Sequence, residues 1–257
     1  MENRYPLLAG RRILRKESLW DIRDYAYGGW QLYYMEHTDG LLKGCTIKAQ
    51  DGVLVIGKGM IKFHDFVYLM QEEERVRYQS ENKWQILKAE FLEDEKNPDY
   101  KEYCARFFLD TDVRLKENQI EMCRFYLREG SVLRDSYKDF SDMATEYDTV
   151  NLIHATVAGV GEQTLHPALL RQFGEELWNE KEKDQFDFGI CNLIWNTDGK
   201  LERRVIAAYL CGKTKKDTAE FSMPDGNQKM YEHLCKVINR MGRGKKEKTG
   251  SKLIIVD

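Results

Sequence analysis

The sequence predicts an α+β protein with an antiparallel β-sheet or sandwich in its first half, and with helices and a β-hairpin in its second half. Glycine turns punctuate residues 29–70, and two of them follow aspartate, at Asp39-Gly40 and Asp51-Gly52. Such pairs supply the positive φ that tight hairpins need. The segments between the turns are rich in β-branched and aromatic residues, which is typical of short strands. After Asp135 the period of the apolar residues changes to helical spacing.

The first half is expected to be mostly strands. The residues up to Asp24 form a charged arm with a short helix around Arg15–Arg23, and strands follow in close order from Gly29 to Met70. Alternating polar and apolar residues then predict three further strands with one solvated face, within residues 83–92, 103–109 and 120–127.

The second half is expected to be mixed. Helical spacing runs from Tyr137 to Tyr147, and Thr164 with an early proline indicates the start of another helix. Two strands, Phe186–Trp195 and Leu201–Leu210, are predicted to form a hairpin through Asn196-Thr-Asp-Gly-Lys200. An amphipathic helix is predicted from Asn227 to Met241. The organisation that follows is a β-rich domain over residues 1–135, a mixed region over 136–242 and a basic tail over 243–257.

Composition disfavours a nucleic-acid partner and membrane insertion. Of the 257 residues, 42% are hydrophobic and 32% are charged, and the net charge is only −3. Proteins that bind nucleic acid or anionic membranes usually carry a strong basic excess, so a nucleic-acid partner is not favoured. The sequence has no apolar run near the roughly 20 residues that a membrane helix requires, so membrane insertion is not expected.

The compartment is predicted from the cysteines and the first residues. Six cysteines are scattered singly, with no C-x-x-C pair, mostly among apolar neighbours. This pattern indicates reduced thiols in a core. The opening residues lack the apolar stretch of a signal peptide, so the expected location is the cytoplasm.

The sequence predicts no catalytic residue, cofactor or metal ion. The five histidines lack the spacing of metal ligands, and there is no Gly-x-Ser-x-Gly elbow. Asp110-Thr-Asp112 has two carboxylates that could hold a divalent ion, but aspartates are also favoured in a strand-to-turn transition. An enzyme site assembled from distant residues stays open as an alternative, since its members would meet only in space.

Two sets of residues are candidates for binding. Dense early aromatic residues predict a protein interface, a stacking surface or a core, and the candidates for an interaction surface are Trp20, Tyr25, Tyr27 and Trp30. The tail predicts either a solvated end or phosphate contacts, and the candidates for those contacts are Arg243, Lys245, Lys246 and Lys248. The tail does not have the order of a Walker A motif, because it reads Gly250-Ser-Lys and follows a predicted helix.

The order of elements in the first half resembles that of baseplate proteins of phage tails and injection systems. The residues that carry the resemblance are Asp39-Gly40 with Gly44, the strand Val53–Ile56, the Gly57-Lys-Gly59 turn, and the aromatic strand around Phe66-Val-Tyr68. Residues 120–134 look like a later strand of the same kind of shoulder β-sandwich. Such domains occur in the type VI secretion baseplate adaptor and in tail-fibre adaptors of siphophages.

The resemblance implies a non-enzymatic structural or assembly component with protein partners, often a homo-oligomer that joins through sheet edges and aromatic patches. A nucleic-acid-associated accessory protein that uses the basic tail is one alternative. The other is the enzyme with a non-contiguous site, which would need a deep pocket with acid or base groups.

Overall fold

The computed structural model describes residues 15–94, 102–215, 217–221 and 226–247, together with Pro6 and Ile13. The helices within these residues are α1 (Lys16–Tyr33), α2 (Pro167–Asn179), α3 (Gln185–Asn196), α4 (Arg203–Thr214) and α5 (Gly226–Glu247), with short 3-10 helices at Ser141–Ala144 and Thr218–Phe221. The strands are β1 (Gly40–Gly44), β2 (Ile47–Gln50), β3 (Val53–Ile56), β4 (Gly59–Phe63), β5 (Phe66–Met70), β6 (Glu74–Arg77), β7 (Trp84–Asp94), β8 (Glu102–Asp110) and β9 (Gln119–Tyr126).

The strands form three antiparallel three-stranded sheets, in the orders β1-β4-β5, β2-β3-β6 and β8-β7-β9. The turn between β2 and β3 is Asp51-Gly52, and both residues have positive φ, 48° and 77°. At Gly44, with φ of 71°, a Cβ atom would lie 2.2 Å from the Lys58 carbonyl oxygen, so only glycine fits. The predicted α+β class with a sheet-rich first half is confirmed.

The first and third sheets share a core built on aromatic contacts. The Phe63 ring stacks on Phe91 with centroids 4.3 Å apart, and Phe66 stacks on Tyr103 at 3.9 Å. These pairs join β4 to β7 and β5 to β8. Stacked or tilted rings at such distances add to the free energy gained by burial.

The prediction of a strand that begins at Gly29 is wrong, because residues 29–33 are the end of α1. The Gly28-Gly29 pair looks like a turn in sequence but lies inside the helix. The backbone N–H of Tyr34 still donates to the Trp30 carbonyl oxygen at 3.1 Å, so helical bonding continues past the glycines. Glycine in a helix interior lowers helix stability by about 1 kcal/mol relative to alanine, but it does not prevent a helix from forming.

The β-hairpin predicted in the second half is also wrong, because both of its strands are helices. The side chain of Asp184 accepts from the Asp187 N–H and the Asp187 carboxylate accepts from the Asp184 N–H, which is a capping box at the start of α3. The supposed hairpin loop ends α3 instead: Asp198 and Gly199 have positive φ, and the Gly199 N–H donates to the Ile194 carbonyl at 2.7 Å.

The helix expected over residues 137–147 is reduced to one 3-10 turn, Ser141–Ala144. The carboxylate of Asp142 accepts from Arg134 and from the Lys138 N–H, contacts that hold this stretch against the preceding chain. The apolar segment from Asp148 to Val157, for which Asp148 or Thr149 could supply a helix cap in the sequence, is not helical. It makes isolated bridges to the first half, such as Leu41 with Val157. Its residues Val150, Leu152, Ala155 and Val157 enter the first-half core, whereas Ile153 packs in the core among the helices.

The second core lies among the helices. Residues of α2 (Leu169, Phe173, Leu177), α3 (Ile190, Ile194) and α4 (Ile206, Leu210) pack with Met230, Leu234 and Val237 of α5. The predicted apolar side of the last helix is therefore confirmed. All six cysteines are free thiols, and of these Cys45, Cys123 and Cys191 are buried.

The start of α2 carries a pH-dependent cap. Thr164, the predicted cap, donates instead to the Leu201 carbonyl at 2.6 Å, and His166 caps the helix by accepting from the Ala168 N–H through Nδ1 at 3.2 Å. Burial, helped by the nearby Arg171 charge, lowers the pKa of His166 to about 4. The native state therefore holds a neutral imidazole.

Acid is expected to weaken this cap. Above pH 6.5 both folded and unfolded states have a neutral His166, so its contribution is fully present there. Between pH 6.5 and about 4 the unfolded state binds the proton first, and stability falls by up to about 1.4 kcal/mol per pH unit. Replacing His166 with asparagine, a good cap that does not titrate, should flatten urea-unfolding stability over this range. An equal slope in wild type and variant would contradict the assignment.

Candidate protein-interaction surface

Helix α1 projects apolar side chains into solvent on nearly all sides. None of its residues is buried. Tyr25, Leu32 and Tyr33 are 77%, 71% and 72% exposed, and Leu19 and Ile22 are 50% and 42% exposed. Soluble monomers rarely expose contiguous apolar patches of this kind, and such patches mark protein interfaces.

The helix has an inner and an outer side. At 3.6 residues per turn, Tyr27, Trp30 and Tyr34 lie on the side that faces the sheets. The Tyr27 ring stacks near Phe66 of β5 with centroids 6.3 Å apart, and the Trp30 ring stacks on Tyr34 at 6.1 Å. Ile22, Tyr25, Gly29 and Leu32 lie on the opposite side. We call this opposite side the outer face of α1.

All four residues predicted as an interaction surface lie on α1. Trp20, Tyr27 and Trp30 are each about half exposed, whereas Tyr25 lies on the outer face. Nζ of Lys16 lies 5.1 Å from the centre of the Trp20 ring, within the range of a cation–π contact. The structure therefore brings Tyr27 and Trp30 together on the inner side and separates them from Tyr25.

An open groove of about 830 Å³ runs between α1 and the edge of β5. We call it the α1–β5 groove. Its α1 wall includes Tyr27 and Trp30, and every residue of β5 lines it. Its far wall is formed by alternate residues of β8, which are Tyr103, Ala105 and Phe107. The walls are thus largely aromatic and aliphatic, a composition suited to an apolar protein segment.

Acidic residues mark one end of this groove. Glu72 and Glu74 line it just beyond the last residue of β5, and both are exposed. Within the described part of the chain, neither carboxylate forms an ion pair or a side-chain hydrogen bond. This end therefore offers negative charge beside aromatic walls.

A second exposed aromatic cluster lies on α2 and α3, and the sequence analysis missed it. The Trp178 ring makes edge contacts with Phe188 at 5.8 Å and with Trp195 at 4.7 Å. Lys183 Nζ lies 5.3 Å from the Trp178 ring centre. The signal that identifies α3 is the Asp184-x-x-Asp187 capping pattern followed by apolar residues at helical spacing, which a strand assignment hides.

The aspartate pair that could have held a metal ion has cationic partners within the chain. Nζ of Lys88 donates to Asp110 at 2.8 Å, and this bond is the main reason why the pKa of Asp110 is lowered. Hydrogen bonds from Arg114 lower the pKa of Asp112 to about 2. Both carboxylates serve the local structure of the turn after β8.

The predicted phosphate contacts stay predictions. Arg243, Lys245 and Lys246 fall in the last turns of α5, but their side chains lie outside the described residues, and Lys248 lies outside them altogether.

This chain is similar to several solved structures. No protein-family model and no curated protein matches it. A chain of the type VI secretion system TssK-TssF-TssG baseplate subcomplex is 8% identical with a TM-score of 0.42, and the match covers 95% of this chain and 100% of that chain.

Two further structures are similar. A crystal structure of TssK is 10% identical with a TM-score of 0.36, over 100% of this chain and 71% of that one. A chain of the baseplate complex from the type VI secretion system is 9% identical with a TM-score of 0.37, over 94% and 99%.

Membrane insertion has no candidate segment in the described ranges: none of their helices is both long enough and apolar enough to cross a bilayer.

Proposed function

We propose that this protein is a non-catalytic structural subunit that assembles with further copies of itself through the outer face of α1. The observation that carries the proposal is an 18-residue helix with no buried residue and large apolar side chains in solvent. The setting that we propose for such a subunit is a baseplate-type assembly, in keeping with the resemblance described above.

The energetics of α1 favour a partner. An isolated helix of this length is marginal in water, since helices draw most of their stability from packing an apolar side. Gly28 and Gly29 weaken α1 further, and a Cβ atom at either position would contact nothing within 4 Å, so the chain's own packing does not require them. A partner that packs on α1 would supply the missing stabilisation.

The outer face suits a second copy of the same helix. Ile22, Tyr25, Gly29 and Leu32 are spaced as i, i+3, i+7 and i+10, which is the spacing of an apolar seam between two helices. None of these four residues is charged. A symmetric pairing of two α1 helices would bury the seam in both copies at once.

The test is to place charges on the seam. In the variant with Tyr25→Glu and Leu32→Glu, each carboxylate would have to be buried without a partner, so self-association should weaken by at least about a hundredfold in Kd. The measurement is molar mass by light scattering across a concentration series, with thermal unfolding of the same samples.

Val132→Glu is the matched control, because Val132 is also an exposed aliphatic residue but lies in a loop outside α1. The control should keep the wild-type mass. An oligomer that persists in the Tyr25→Glu, Leu32→Glu variant, with unchanged unfolding, would contradict assembly through α1.

A further inference from the structure

We propose that the outer face of the β2-β3-β6 sheet binds an extended acidic segment of a partner protein, in which two carboxylates lie two residues apart. The three cations of this face are Lys48, Arg75 and Arg77, and we call the surface that they form the basic face. The proposal does not rest on assembly through α1, because it uses a different element and no residue of that helix.

The strand register places the three cations on one side of the sheet. Lys48 of β2 and Arg75 of β6 both lie opposite Val55 of the central strand β3, and Arg77 lies opposite Val53. Residues directly opposite each other project to the same face, and so do residues two apart along a strand. The cations therefore surround a strip of two valines.

The basic face is the side of the sheet that points away from the core. The alternate residues of the same strands face the other way: Leu54 and Ile56 are buried in the first-half core, and Val76 packs against it. All three cations are exposed. A partner can therefore reach them without any change in the fold.

The positive charge of this face is not neutralised by the chain itself. In the part of the chain that the structure describes, none of the three cations forms an ion pair or a side-chain hydrogen bond. Glu74, the acidic neighbour of Arg75, lies in the register row of Ile56 and so projects to the other face. The net charge of the whole chain is −3, so this face has the opposite sign to the chain as a whole.

The spacing of the arginines suits an extended segment. Arg75 and Arg77 are two residues apart on β6, which is about 7 Å at about 3.3 Å per residue. Any extended chain has the same repeat, so carboxylates two residues apart can each meet one guanidinium. Arginine pairs with a carboxylate through two parallel hydrogen bonds, which gives such a site its geometry.

The surface between the charges favours protein over nucleic acid. Val53 and Val55 offer aliphatic contacts to the side chain that lies between the two carboxylates of the partner. None of the residues on this face is aromatic, so there is no ring on which a base could stack. An acidic protein segment therefore matches both the charge and the apolar strip.

A synthetic peptide tests the proposal. The probe is Ser-Glu-Val-Glu-Val-Glu-Ser, titrated into ¹⁵N-labelled full-length protein and, with a fluorescent label, followed by anisotropy. We expect amide shifts concentrated in β2, β3 and β6, and a Kd that rises with salt, because the pairs are exposed. The variant with Arg75→Gln and Arg77→Gln should bind at least tenfold more weakly. The same peptide with glutamine in place of glutamate should not bind.

The matched control is the variant with Arg204→Gln and Lys236→Gln. Both residues are exposed, on α4 and α5, and the variant changes the net charge by the same amount. It should keep the wild-type Kd. Thermal unfolding of both variants shows that each is folded, since all four positions are on the surface.

Several results would overturn the proposal. These are shifts spread outside the basic face, equal binding of the glutamine peptide, or an unchanged Kd in the Arg75→Gln, Arg77→Gln variant. A single-stranded oligonucleotide that binds the face more tightly than the peptide would assign it to nucleic acid instead. Loss of self-association in that variant without peptide would assign it to a second copy.

The two proposals fail separately. The Tyr25→Glu, Leu32→Glu variant should bind the acidic peptide as the wild type does, because the basic face contains no residue of α1. A loss of peptide binding in that variant would contradict the independence of the two surfaces.

Discussion

Replacing Arg203 with methionine is expected to lower the free energy of unfolding by about 4 kcal/mol, since it removes a buried charge that several buried acceptors depend on. The Arg203 side chain is 3% exposed. Its Nε donates to the Gln163 carbonyl at 2.5 Å, and Nη1 donates to the Phe221 carbonyl at 2.8 Å. Nη2 donates to the Asn227 side chain, whose own Nδ2 donates to the Ile153 carbonyl at 3.1 Å.

One guanidinium thus ties the chain before α2 to the Thr218–Phe221 helix and to the start of α5. Methionine fills much of the same volume but donates no hydrogen bond, so it leaves two carbonyl groups and the Asn227 oxygen unsatisfied in a dry interior. Urea unfolding measures the loss. Arg204→Met is the matched control, because Arg204 is exposed on the same helix and its change should cost less than about 0.5 kcal/mol. A loss below about 1 kcal/mol at Arg203 would show that the network is dispensable.

Replacing Lys88 with alanine is expected to cost about 3 kcal/mol, the second large effect. The Lys88 side chain is 1% exposed in the central strand β7, and its Nζ donates to Asp110 at 2.8 Å and to the Arg114 carbonyl at 2.7 Å. Alanine leaves a cavity along the aliphatic stem and removes the cation from both acceptors. Methionine at the same position fills the cavity and should recover about half of the loss.

The pH dependence separates the charge from the packing. Because the Lys88 hydrogen bond lowers the pKa of Asp110, the native state favours the ionised carboxylate, and this contribution is present above pH 4 and lost as the pH falls through the lowered value. Both Lys88 variants should show less loss of stability below pH 4 than wild type. Lys83→Ala, at an exposed position just before β7, is the control and should retain the wild-type acid profile. An unchanged acid profile in Lys88→Met would contradict the role of the pair.

The sequence predicts those parts of the fold that depend on neighbouring residues, such as turns and helix starts. The turn at Asp51-Gly52 and the start of α2 near Pro167 were predictable, because positive φ and a proline in the first helical turn are local requirements. The prediction of a second-half hairpin failed because residues 186–195 alternate like a strand, whereas the capping box of Asp184 and Asp187 starts a helix there.

For the candidate surface, too, local features could be predicted from the sequence and tertiary contacts could not. Trp20, Tyr25, Tyr27 and Trp30 could be identified as interface candidates because aromatic density is visible in sequence, and whether they lie on the surface follows only from tertiary structure. The α1–β5 groove could not be predicted, since β5 and β8 are about 35 residues apart along the chain and meet through the Phe66–Tyr103 stack.

The most direct test of assembly through α1 is the molar mass of the wild-type protein in solution by light scattering, over a concentration series at low and high salt. An apolar interface predicts a discrete oligomer whose mass is an integer multiple of 30.3 kDa and does not fall as salt rises. A mass of 30.3 kDa at every concentration, with α1 helical and exposed, would contradict the proposed role.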